Sequence, residues 1–174
     1  MLQSKRNSRP FLVAAPTILV VGFVILGAIH AQQTAQRYPD LVSGLKAIPG
    51  CLGVDTAQTA SGKKVIFAWF EDKKAVLRWY QSDMHQGAMK MLLGDRKPDP
   101  PLQGVPDDVG PLLVIASLTM SEKSQFEGVS MPISQISIEL YKPVTGGIFL
   151  GGRFAPSSLK IPGMKDYTPQ KDAK

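Results

Sequence analysis

The opening thirty residues set the tightest limit on what this chain can fold into. Lys5, Arg6 and Arg9 stand without an acidic neighbour, and an uncharged stretch from Pro10 to Ile29 follows them. Lysine and arginine resist translocation, so this end stays on the cytoplasmic side and the remainder crosses. The stretch approaches the roughly 20 apolar residues needed to span a bilayer. Pro16 divides it, however, and leaves a core from Thr17 to Ile29 of signal-peptide length. Ala31 offers a small residue for cleavage, with polar Gln32, Gln33 and Thr34 beyond it. Residues 1–31 are therefore expected to be a signal peptide or an N-terminal signal anchor. The rest is expected to be exported, periplasmic or extracellular, and held in the membrane by residues 10–29 if they are not removed.

What remains is enough for one domain. The formal charge of +6 suggests a nucleic-acid partner until its distribution is followed. Of 20 basic residues, three lie in the leader and four after Leu159; two of the 14 acidic ones share that tail, leaving 13 basic against 12 acidic in between. A nucleic-acid binder concentrates its positive charge on one face or stripe, and nothing here does so. No nucleic-acid partner is expected. Cys51 is the single cysteine, which excludes an intramolecular disulfide in a compartment that would permit one. Stability has to come from a packed core, in which Cys51 behaves as a small hydrophobe.

Residues 32–39 read as a polar spacer and 40–155 as the domain. Leu41, Leu45 and Ile48 recur at helical spacing behind Asp40 as N-cap, and Pro49-Gly50 stops that short helix. A strand over Cys51–Thr56, a turn at Ser61-Gly62 and the β-branched, aromatic run Val65–Phe70 make a hairpin. A long helix is expected from Asp72 to Leu93, with Val76, Tyr80, Met84, Ala88 and Met91 as its apolar stripe and Gly94 as its stop. Five prolines between Asp95 and Pro111 predict a long irregular loop. Leu112–Met120 has a buried-strand pattern, and Ile136, Ile138 and Leu140 alternate with polar residues as a strand with one wet face. A last short strand is expected over Ile148–Phe154, and residues 156–174 read as a flexible tail. This order predicts an α+β sandwich, an antiparallel sheet with helices on one face. The other face has to be covered or polar, and pairing of two chains is one way to cover it.

The run Ile48-Pro49-Gly50-Cys51-Leu52-Gly53, the strand Val65–Phe70 and the helix from Glu71 through Trp79, Ser82 and His85 together resemble the antibiotic-biosynthesis monooxygenase-like (ABM-like) domains. The resemblance covers about residues 41–92. It implies a ferredoxin-like fold that pairs into a dimeric α/β barrel, elaborated here by extra C-terminal strands. It also implies a small-molecule-binding or structural envelope module, or a cofactor-independent monooxygenase-like enzyme acting on a small apolar or aromatic substrate. Such domains usually begin with a strand before the first helix, which residues 32–38 do not resemble; a strand near Ile136 or Ile148 is the candidate to take its place. Haem-degrading enzymes share the Trp-x-x-Ser-Asp helix, but their haem-ligating histidine falls on Met89 here. Their first-strand asparagine has no counterpart either, because the only asparagine is Asn7. No cofactor is expected.

His85 is the only histidine beyond the leader, so any histidine catalysis would have to use it. It shares a helix face with Ser82, three residues away. One reading makes it a proton-transfer group at a pocket lined by Trp69, Trp79, Tyr80 and Ser82. The other makes it a helix-end residue bonded to Ser82 or to backbone, with the aromatics as ordinary core. One histidine and one cysteine are a poor basis for a metal site, and no Gly-x-Ser-x-Gly sequence marks a serine nucleophile.

Overall fold

The computed structural model describes residues 39–94, 96 and 98–170. Residues 1–38 lie outside them, so the expected signal segment and most of the spacer have no structural account. Among the described residues no helix is long and apolar enough to cross a membrane.

Helix α1 (Leu41–Lys46) starts as expected, with the Asp40 carboxylate accepting from Ser43 N at 3.1 Å. Strands β1 (Cys51–Gln58) and β2 (Lys64–Phe70) form the hairpin, with one irregularity between Cys51 and Gly53. The expected single helix is two: α2 (Lys73–Gln81) and α3 (Asp83–Leu93), broken at Ser82. Ser82 takes an extended conformation, ends α2 and N-caps α3 by accepting from His85 N. Serine competes well for backbone groups outside a helix, which is why it can interrupt an otherwise continuous apolar stripe.

Strands β3 (Leu112–Met120) and β4 (Ile133–Tyr141) complete an antiparallel sheet of order β1-β2-β3-β4. Both β1 and β3 run antiparallel to β2, so they are parallel to each other with β2 inserted between them. That is the split arrangement of a ferredoxin-like sheet. The strand beside β2 is thus Leu112–Met120, not one near Ile136 or Ile148 as expected. The strand containing Ile136 is one of the two sheet edges. Strand β5 is only Ile148–Phe149, and it pairs in parallel with β6 (Lys165–Asp166) in a separate two-stranded sheet.

Strand residues alternate between faces, and each face of the sheet has its own cover. Ala68, Phe70, Leu112 and Val114 meet Leu45, Ala75, Val76 and Trp79 from the helices in the main core. From the long loop, Leu102, Val105 and Val109 pack against the same cluster. Lys73 anchors the loop, donating to Val105 O at 2.6 Å and to the Asp107 carboxylate at 2.9 Å. On the opposite face, Phe154 sets its ring edge-on to Phe67 and Trp69, both at 4.9 Å between centroids. Ser158 donates to Leu52 O, and Leu159 is 2% exposed. Residues 156–159, read from the sequence as the start of a tail, therefore lie against the domain, and Lys165–Asp166 pair with β5. The Arg153 guanidinium gathers the carbonyls of Pro156, Ser157 and Leu159 and so shapes this segment without any apolar period.

Candidate functional site: the corner between two helices

A helix leaves its last carbonyls without intrahelical partners. The break at Ser82 creates such orphans in mid-segment, and the first turn of α3 supplies their partners. Trp79 O accepts from Ser82 N at 3.0 Å and from Ser82 Oγ at 2.7 Å. Tyr80 O lies 3.0 Å from His85 Nδ1 and also accepts from Gln86 Nε2. Ser82 Oγ in turn accepts from His85 N at 3.2 Å. The corner is closed by Ser82 and His85, both candidates for chemistry in the sequence, together with Gln86.

His85 is half-buried between two rings, 5.3 Å from Trp79 in an edge-on arrangement and 5.0 Å from Tyr80. Burial holds its pKa below the ordinary value, and the bond to Tyr80 O only partly opposes that. A carbonyl can only accept, so in the neutral ring Nδ1 carries the proton and Nε2 holds the lone pair. The arrangement is chemically competent as a base at Nε2, but its positioning bonds all serve the corner. Gln86 was not anticipated as a member. Its signal was present in principle, as a polar residue one turn past a serine N-cap.

Trp79, Tyr80, Ser82 and His85 therefore come together, and Trp69 does not. Trp69 and Phe70 are successive strand residues, so Trp69, 4% exposed, points away from the helices toward Phe154. The expected pocket divides into a helix-corner cluster and an aromatic cluster on the other side of the sheet. Gly44 brings α1 close to the first cluster: a Cβ there would lie 2.9 Å from Met84 Cγ and 3.2 Å from the Trp79 ring. Cys51 packs against the main core, with burial pushing its thiol pKa up. Among the described residues no group of three or more histidine, cysteine or carboxylate side chains is placed to hold a metal.

The fold and the Pro-Gly entry to β1 are joined by a direct match: residues 19–91 fit the family model for antibiotic biosynthesis monooxygenase. The chain carries an ABM-like domain. The match starts inside the N-terminal apolar stretch and ends in α3, so it takes in the hairpin, α2 and the whole helix corner. Strands β3 to β6 follow the matched segment. No curated protein and no solved structure matches the chain.

Proposed function

We propose that this ABM-like protein is an exported, non-catalytic envelope module that binds a small apolar molecule or supports assembly as a homodimer. In this reading residues 1–31 direct export, and residues 10–29 anchor the protein in the membrane wherever they are retained. The observation that supports it is the setting of His85. An oxygenase built on this histidine needs the imidazole aimed into an enclosed cavity. Here Nδ1 is engaged by Tyr80 O and the ring is wedged between Trp79 and Tyr80.

The test is a mass-spectrometric screen of the purified protein for co-purifying and added aromatic or isoprenoid compounds. The binding role predicts a specific compound whose retention falls when Trp79 is replaced. A blank across the screen leaves assembly as the module's role.

A second reading, a cofactor-independent oxygenase, draws support from one feature. Burial favours neutral His85, so its Nε2 lone pair is available near neutral pH. It requires His85→Ala to abolish oxygen-dependent turnover of a small apolar or aromatic substrate.

A further inference from the structure

Among the described residues nothing covers an apolar row on strand β4. Its partners on β3 are Leu118 for Ile136, Ala116 for Ile138 and Val114 for Leu140, so this row continues the helix-side face of the sheet. Ile136, Ile138 and Leu140 are nevertheless 41%, 49% and 39% exposed. Strand β4 is also a sheet edge. Among the described residues the backbone from Gln135 to Tyr141 bonds to β3 and to nothing else. A long apolar edge with free backbone groups is a template for pairing, and proteins that do not use such an edge blunt it with lysine, proline or a bulge. None of these interrupts Gln135–Tyr141.

We propose that β4 pairs antiparallel with β4 of a second copy, about a two-fold axis at Ile138. The proposal rests on the dimeric reading above and says which surface makes the dimer. The sequence of the strand is complementary to itself in this register. Ile138 faces its own copy, Ile136 faces Leu140 of the second copy, and all three apolar positions fall on one side. On the other side Ser137 faces Glu139 of the second copy and Gln135 faces Tyr141, so no like charges meet. Centring the axis on Glu139 instead sets two carboxylates opposite each other and Lys142 against Ile136. Centring it on Ser137 sets Leu140 against Ser134. Isologous pairing of this kind closes the assembly at two and joins two four-stranded sheets into one. The helix-free face is not free for the purpose, because Phe154, Pro156 and Leu159 already cover part of it.

Cross-linking tests the register in the purified full-length protein carrying Cys51→Ser. Directly opposed residues in an antiparallel pair fall within disulfide reach. Two copies of Ile136 would be four residues apart along the strand, roughly 13 Å, and out of reach. Under mild oxidation Ile138→Cys is expected to run mainly as a disulfide-linked dimer on a non-reducing gel, and Ile136→Cys as monomer. Ile138→Lys is expected to weaken the dimer about tenfold or more in sedimentation. Both positions are exposed, so the variants keep the fold. A wild-type dimer in which Ile138→Cys links no better than Ile136→Cys overturns the surface and leaves the dimeric reading intact. A wild-type monomer overturns both.

Discussion

The Nδ1 atom of His85 lies 3.0 Å from the carbonyl oxygen of Tyr80, across the break that separates two helices. The carbonyl is free because the helix stops at Gln81, and the histidine reaches it because Ser82 restarts the chain as a new helix. Burial disfavours the imidazolium here, which links this bond to pH. The unfolded chain binds a proton near the ordinary value of 6.5, and the folded chain binds it at a lower pH. The stabilising contribution of neutral His85 is therefore full above 6.5 and is lost as pH falls through that value toward the depressed one. Thermal unfolding from about pH 7.5 down to about 5.5 should show a steeper loss of stability in wild type than in His85→Gln, which cannot titrate. Parallel slopes would contradict this.

Removing the hydroxyl that restarts the helix should weaken the corner at both ends. Ser82→Ala loses the cap on His85 N and the bond to Trp79 O. Loss of an N-cap serine costs about 1 kcal/mol, and urea unfolding should register at least that. An unchanged midpoint would mean that water replaces the side chain fully.

Gly50 closes the turn into β1 at φ +86°. A Cβ there would also lie 2.7 Å from both Ala75 Cβ and the Arg78 guanidinium. Gly50→Ala therefore combines left-handed strain with a clash against α2. It should cost about 2 kcal/mol or more in chemical denaturation. Gly62→Ala, also at positive φ but with no neighbour within 4 Å, should cost less.

The C-terminal segment makes a separable prediction. Phe154→Ala removes two edge-on ring contacts from Phe67 and Trp69. Aromatic pairs contribute about 0.5–1.5 kcal/mol each beyond area burial, so a loss on the order of 1–3 kcal/mol is expected. Opening this face should also admit water to Trp69, shifting tryptophan emission to the red. Intact emission with unchanged stability would show that the segment does not hold this face closed.

Much of this was legible in the chain because it is written in period and parity. Asp40 caps its helix as read, Ser61-Gly62 turns the hairpin, and Val65–Phe70 shows the β-branched and aromatic content of a central strand, whereas Asp72, read as the first helical residue, is the N-cap. The parity that separates Trp69 from Trp79 was equally present: Ala68 and Phe70 face the helices, so Trp69 between them cannot. The helix break was harder to see, because the stripe from Val76 to Met91 continues past it and only the competition of Ser82 for backbone groups interrupts it. The C-terminal segment was least legible. Its shape depends on one guanidinium collecting three carbonyls, a pattern with no sequence period.

Both bonds of His85 serve the helix corner, and the proposed non-catalytic role rests on that. Its most direct test is oxygen uptake by the purified protein with a panel of electron-rich phenols and hydroquinones, comparing wild type with His85→Ala. The same background uptake is expected for both proteins, with the variant less stable but folded. Substrate-dependent uptake by wild type that disappears in a folded His85→Ala protein would contradict that role and make the histidine catalytic.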